Sequence, residues 1–154
     1  MTDDPIRVLF VCWGNTARSI MAEAILRQLG GPAFEVSSAG IEPGSVNPLT
    51  IRALEAARID TSGLRSQSVD EFRDGGFDYI VTVCDTARQA CPVFPGDHEQ
   101  LHWGYDDPAK ATGTDEERYA VFERVMAQIA TRIRLFIPAA MANHGRIAQP
   151  VTPA

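Results

Sequence analysis

The sequence contains no run of apolar residues close to the roughly 18 that a membrane-spanning helix requires. Its first residues, Met1 to Pro5, also lack the basic segment and the apolar core of a secretion signal. We therefore expect a cytoplasmic protein that does not act on a membrane.

Basic residues and cysteines are scarce as well. Fourteen Lys and Arg residues face twenty Asp and Glu residues, and the net charge of −6 gives no support for nucleic-acid binding. Three cysteines, an odd number, argue against a structural disulfide framework in a reducing compartment and favour catalytic or redox thiols. The remaining composition, 45% hydrophobic and 22% charged over 154 residues, is typical of one soluble globular domain.

The most informative stretch follows the first predicted strand. Four consecutive apolar residues, 8–11, predict a strand that is buried on both faces, and an apolar helical repeat over residues 21–29 predicts a helix behind it. Cys12 should therefore lie where a strand ends and a helix begins. The unpaired amides of the first helical turn bind anions and favour a thiolate.

Arg18 follows Cys12 by six residues and is followed in turn by Ser19. A guanidinium group is suited to binding two oxygens of a tetrahedral anion, so this turn would combine a nucleophile with an oxyanion cradle. The alternative is a buried structural cysteine beside a surface arginine. A Walker-type loop is excluded, because the Gly-Lys-Ser/Thr ending is missing.

The rest of the chain alternates strands and helices. Strands are predicted over 34–38, 77–83 and 99–103. Helices are predicted over 47–58, 68–75 and 115–137, with Asn47, Ser68 and Thr114 as their N-terminal caps. This pattern predicts a doubly wound α/β fold, with four parallel strands and helices on both faces. We expect one catalytic domain over 1–138, ended by Pro138, and a loose tail over 139–154. Because Cys12, Cys84 and Asp107 each follow a predicted strand, they should meet at one edge of the sheet.

Two sets of residues carry a resemblance to a known family. Cys12, Arg18 and Ser19, together with the late Asp107-Pro108, resemble the low-molecular-weight tyrosine phosphatase fold. Cys84, the pair Cys91-Pro92 and the segment 102–109 (HWGYDDPA) narrow the resemblance to the arsenate reductases of that fold that thioredoxin recharges. The likeness spans roughly residues 6–137.

The resemblance implies a role for each residue of the loop. Cys12 would be the nucleophile that attacks arsenate, Asp107 the general acid, and Ser19 a hydrogen-bond donor to the thiolate. The oxyanion would be held by the loop from Trp13 to Ser19, that is by Trp13, Gly14, Asn15, Thr16, Ala17, Arg18 and Ser19. Trp13 stands where relatives have a smaller residue, and Ala17 stands where many relatives have a second loop cysteine.

The resemblance also implies a relay of thiols. Cys84 would attack the Cys12–arsenic adduct, which releases arsenite, and Cys91 would then capture Cys84 in a disulfide that thioredoxin reduces. Two thiols must supply the electrons that reduce arsenic(V), and a third is needed to move the disulfide outward. If residues 85–91 are helical, Cys84 and Cys91 lie about 10 Å apart along the axis, beyond the reach of a disulfide, so this segment should unwind on oxidation.

Some relatives bind a monovalent cation behind the loop. Asn15, Glu23 and Ser38 match that arrangement and form a candidate potassium site, although Gln67 stands where a carboxylate is expected. No other bound cofactor is expected, and we expect a monomer. Glutaredoxin or a small thiol stays open as the reductant.

Other functions are consistent with parts of the sequence. The main alternative is a tyrosine phosphatase that uses Cys12, Arg18 and Asp107, although Ala109-Lys110 stand where such enzymes commonly have aromatic residues. Asp107 could instead only open a turn before its proline. A non-catalytic anion-binding module is a further alternative.

A zinc site would use these four residues: Cys84, Cys91, His98 and His102. The cysteine spacing is wider than usual for zinc, and we expect His98, His102 and His144 to be ordinary.

Overall fold

The computed structural model describes residues 4–148, with side chains described for residues 4–144. Its strands are β1 (Ile6–Cys12), β2 (Phe34–Gly40), β3 (Tyr79–Thr82) and β4 (Glu99–His102). Its α-helices are α1 (Arg18–Gly30), α2 (Pro48–Ala56), α3 (Asp85–Ala90) and α4 (Asp115–Ala148). Short 3-10 helices cover Gly31–Ala33, Val69–Phe72 and Pro108–Lys110.

The four strands form one parallel sheet in the order β2-β1-β3-β4. In its register Cys12 pairs with Gly40 on one side, and Val11 pairs with Thr82 on the other. The chain starts in the middle of the sheet and winds to both edges, which confirms the predicted doubly wound α/β fold. The predicted strands are also confirmed, with ends that differ by one or two residues.

The core is built around β1 and β3. Residues 8–12 of β1 and all four residues of β3 are buried. Successive side chains of a strand point to opposite faces, so both faces of these strands are covered. This arrangement explains why β1 reads as a continuous apolar run rather than as an alternating one.

The hydrogen bonds predicted at the helix starts are present. Asn47 accepts from the backbone of Leu49 ahead of α2, at 2.9 Å. Thr114 accepts from the backbone N–H of Glu117, whose carboxylate accepts from the Thr114 N–H in return. The segment predicted as a helix over 68–75 is shorter than expected, a single 3-10 turn over Val69–Phe72.

The end of α4 differs from the prediction. The expected stop at Pro138 and the loose tail from residue 139 are wrong over 139–148, where the helix continues; residues 149–154 lie outside the described part. The helix continues because tertiary contacts outweigh the local cost of proline. Phe136 packs edge-on against Tyr79 and Trp103, and Ala140 is only 1% exposed.

By length and composition alone, Asp115–His144 of α4 would be apolar enough to cross a membrane. One side of this helix is instead part of the core of the α/β domain, where α4 packs against α1 and α2. Among its described side chains, those with no exposed surface are Phe122, Val125, Ile129 and Ile133.

Candidate active site

The loop between β1 and α1 is held by the chain that follows β2. Four backbone N–H groups between residues 41 and 47 donate to the loop carbonyls, which therefore point away from the loop centre. These bonds run from Ile41 to Cys12 (3.2 Å), Glu42 to Trp13 (2.9 Å), Gly44 to Gly14 (3.0 Å) and Asn47 to Thr16 (3.0 Å). In a planar trans peptide the N–H points opposite to the carbonyl. The loop amides therefore face inward, as an oxyanion cradle requires.

The cradle continues into α1. Ala17, which precedes the helix, has only a methyl group and cannot cap it, so the first-turn amides keep their positive potential for a bound anion. Asn15 adopts a positive φ of 51°, which an asparagine tolerates better than most residues. The predicted oxyanion residues from Trp13 to Ser19 thus form one continuous turn.

Gly40 sets how closely the two segments approach. A Cβ atom at this position would lie 2.8 Å from the Trp13 carbonyl oxygen and 2.9 Å from the Gly14 carbonyl carbon. These neighbours are backbone atoms that cannot rotate away, so any side chain here would push the loop out of place.

We expect Gly40→Ala to lower the free energy of unfolding by about 1–3 kcal/mol, as for an overpacked core. Because the displaced atoms belong to the oxyanion loop, anion binding should weaken as well. Urea unfolding and phosphate inhibition would measure the two effects. Gly44→Ala is the matched control, since its Cβ would make only an ordinary 3.4 Å contact with Thr16. Equal behaviour of the two variants would contradict the argument.

The sulfur of Cys12 is buried and receives two hydrogen bonds. The Asn15 backbone N–H donates to it at 3.1 Å, and the Ser19 Oγ lies at 2.8 Å. The Asn15 side-chain amide donates to that same hydroxyl at 2.7 Å, which leaves the Ser19 proton free to point at the sulfur. Both donors stabilise a thiolate, the form of cysteine that acts as a nucleophile.

Arg18 and Asp107 meet at the mouth of the loop. Arg18 donates to the Tyr105 carbonyl at 3.1 Å, and its second terminal nitrogen lies 3.6 Å from the Asp107 carboxylate. The other Asp107 oxygen accepts from the Ala109 N–H at 3.0 Å. Asp107 therefore does open the predicted turn, and it also faces the arginine beside the nucleophile. One residue can serve both purposes.

Cys84 leaves the sheet at the same end as Cys12, on the neighbouring strand. Val83 donates its N–H to the Val11 carbonyl at 2.9 Å, so the strand pairing extends to the residues that precede the two cysteines. Neighbouring strands are about 4.8 Å apart, and the backbones of Cys12 and Cys84 therefore start at the same sheet edge. Cys84 is buried, and its sulfur accepts from the Ala87 N–H at 3.4 Å as the N-cap of α3.

Cys91 lies at the opposite end of α3, where that helix stops. Its side chain is half-buried and borders an open cavity of about 490 Å³. Burial raises the pKa of the Cys91 thiol, and a weak contact from the Gln100 amide at 3.9 Å opposes that effect. All three cysteines are free thiols.

The candidate potassium residues are hydrogen-bonded to one another. One oxygen of the buried Glu23 carboxylate accepts from Ser38 at 2.5 Å, and the other is paired with Arg27. The side-chain amide of Asn15 donates to Ser38 at 2.9 Å, and that of Gln67 donates to the Ser38 carbonyl at 3.2 Å. Since protein donors already engage these oxygens, the geometry adds no support for a potassium ion, and that site stays a prediction. The Arg27 guanidinium supplies positive charge there.

The zinc alternative also lacks geometric support. Among the described residues, no group of three or more His, Cys, Asp or Glu side chains could hold a metal ion. Both ring nitrogens of His102 are engaged, with Thr82 and with Asp85.

The comparisons with known proteins agree with this geometry. The family profile described as low molecular weight phosphotyrosine protein phosphatase matches residues 7–146. An arsenate reductase of Halalkalibacterium halodurans is 44% identical over 129 residues, which is 84% of this chain and 93% of the relative.

Two solved structures extend the likeness to the fold. The arsenate reductase of Archaeoglobus fulgidus is 35% identical with a TM-score of 0.68, covering 85% of this chain and 98% of its own. The thioredoxin-dependent arsenate reductase of Corynebacterium glutamicum is 26% identical with a TM-score of 0.70, covering 92% of this chain and 65% of its own. This chain therefore belongs to the low molecular weight phosphotyrosine protein phosphatase family and, within it, to the arsenate reductases.

Proposed function

We propose that this enzyme reduces arsenate to arsenite through Cys12, Cys84 and Cys91 and is recharged by thioredoxin. The observation that carries the proposal is that the buried Cys84 follows β3 at the same end of the sheet at which Cys12 follows the neighbouring β1. A phosphatase needs the loop, the arginine and the acid, but it has no use for a second thiol at this position.

In the first step the Cys12 thiolate attacks arsenate held by the loop amides and Arg18. An oxygen of arsenate leaves as water after Asp107 donates a proton to it, and a sulfur–arsenic(V) bond forms. The contacts of Asn15 and Ser19 with the sulfur support a thiolate at this position. Asp107, which faces Arg18, is placed near any anion that Arg18 binds.

In the second step the Cys84 thiolate attacks the Cys12 sulfur. A Cys12–Cys84 disulfide forms and the sulfur–arsenic bond breaks, with its electron pair passing to arsenic. Arsenic(V) becomes arsenic(III) and leaves as arsenite. Two thiolates have then lost one electron each, which balances the two-electron reduction.

In the third step Cys91 attacks Cys84, which frees Cys12 and leaves a Cys84–Cys91 disulfide. Helix α3 separates these cysteines by about 10 Å, while a disulfide requires α-carbons within about 7 Å. We therefore propose that α3 unwinds in this step. Ala87 is its buried residue, so little packing opposes the change.

The recharging partner acts on the outer disulfide. Val93, two residues beyond Cys91, is 95% exposed and offers an apolar contact to a protein reductant. The thioredoxin-dependent relative supports thioredoxin over glutaredoxin or a small thiol. All three thiols of the proposed relay belong to one chain, so the reaction on arsenate needs no second copy of the enzyme, and a reducing compartment such as the cytoplasm keeps the thiols reduced.

A coupled assay tests this proposal. With thioredoxin, thioredoxin reductase and NADPH, arsenate should cause steady NADPH oxidation, while phosphate should cause none. Cys91→Ser should release about one arsenite per chain and then stop, because its Cys12–Cys84 disulfide cannot be passed on. Absence of arsenate-dependent NADPH oxidation in the wild type, alongside hydrolysis of aryl phosphates, would favour the tyrosine phosphatase instead.

A further inference from the structure

His102, which ends β4, joins two segments on either side of Cys84. Its Nδ1 lies 2.7 Å from the hydroxyl of Thr82, the last residue of β3. Its Nε2 lies 2.9 Å from a carboxylate oxygen of Asp85, the first residue of α3. The imidazole thus spans the strand-to-helix turn in which Cys84 lies.

The direction of these hydrogen bonds follows from the donors available. A carboxylate only accepts, so Nε2 must carry a proton toward Asp85. The Thr82 hydroxyl can serve Nδ1 as donor or as acceptor. The ring is four-fifths buried, whereas Asp85 is 87% exposed, so the imidazole is the fixed partner that restrains the carboxylate.

The backbone leaves room for this pair. A Cβ atom at Gly104 would lie 3.3 Å from the His102 Nε2 and 3.7 Å from the Asp85 carboxylate oxygen. The Trp103 N–H donates to the Thr82 carbonyl at 2.8 Å, which fixes the chain beside the ring. A side chain at position 104 would therefore crowd the imidazole, and glycine leaves the His102–Asp85 pair undisturbed.

We propose that His102 is a positioning residue for Cys84: its imidazole ties Asp85 to Thr82 and thereby holds the Cys84 thiol in place for its attack on Cys12. This inference rests on the proposed function, in which Cys84 performs that attack. The contacts of His102 lie on either side of Cys84, while the contacts of Cys12 described above come from Asn15 and Ser19. Loss of the imidazole should therefore affect the second step and spare the first.

The test separates the two steps. In the first assay, reduced enzyme is mixed with excess arsenate in the absence of a reductant, and the arsenite formed in a single turnover is measured by rapid quench. In the second assay, hydrolysis of p-nitrophenyl phosphate reports the chemistry of Cys12 alone. We expect His102→Ala to slow arsenite formation roughly 10- to 100-fold, as for a misplaced reacting group. Its hydrolysis of p-nitrophenyl phosphate should stay within about twofold of the wild type.

His102→Gln provides the rescue, because its side-chain amide can still donate to Asp85, and it should recover much of the lost rate. His144→Ala is the control, since the His144 ring hydrogen-bonds the backbone carbonyl of Asp4, which precedes β1, and the variant should behave as wild type. Equal single-turnover rates in His102→Ala and the wild type, or parallel loss of both activities, would overturn the positioning role. A wild type that forms no arsenite at all would overturn the proposed function itself.

Discussion

Cys84→Ser is expected to lower arsenite release by about a thousandfold or more, because it removes the group that takes arsenic from Cys12. A serine hydroxyl cannot form a disulfide, so the sulfur–arsenic(V) adduct can only return to arsenate by hydrolysis. The hydrogen bonds to Cys12, from Asn15 and Ser19, do not involve Cys84. Hydrolysis of p-nitrophenyl phosphate should therefore persist.

Arsenite can be measured directly in this variant, beside aryl phosphate hydrolysis in the same preparation. Cys12→Ser is the matched comparison, since the same change at the nucleophile should abolish both reactions. A Cys84→Ser enzyme that still released arsenite at the wild-type rate would show that the reductant attacks Cys12 directly. The three-thiol relay would then be wrong, and the oxyanion loop would remain the only catalytic feature in use.

The sequence contained enough information to predict the sheet and most of the site. The apolar run of β1 and the short spacing from Cys12 to Arg18 depend on local structure: a buried strand, a tight turn and a helix start. Residues close in sequence determine such features. For the same reason the caps of Asn47 and Thr114 could be predicted and are confirmed.

The features that sequence reasoning missed depend on contacts between distant segments. Nothing near Gly40 indicates that its missing side chain makes room for the Trp13 carbonyl. Similarly, the partners of His102 lie 17 and 20 residues away, and the residue was predicted to be ordinary. At Pro138 the rule that proline ends a helix failed, because the aromatic packing of Phe136 in the preceding turn outweighs the destabilisation that proline causes inside a helix.

One missed feature did have a local signal. Arg27 follows Glu23 by four residues in a predicted helix, the spacing at which oppositely charged side chains meet. That spacing indicates that the buried carboxylate has a partner within its own helix. The potassium site beside this ion pair stays a prediction.

The other large effect is expected at Arg18. Arg18→Lys should lower kcat/KM for both arsenate reduction and aryl phosphate hydrolysis by roughly 10²- to 10³-fold. A lysine ammonium is a point charge that cannot bind two oxygens of the anion in one plane. It would also lose the fixed direction that the guanidinium takes from the Tyr105 carbonyl and from Asp107.

The comparison variant is Arg118→Lys, which alters an exposed pair with Asp115 on α4 and should change kcat/KM little. Phosphate inhibition adds a second measurement, since the inhibition constant should rise in Arg18→Lys while that of Arg118→Lys stays unchanged. The chain carries a net charge of −6, so an anion must be drawn in by the local field of the loop amides and this one guanidinium. An Arg18→Lys enzyme within about threefold of wild type would mean that the loop amides suffice, and that Arg18 serves mainly to hold Asp107 in place.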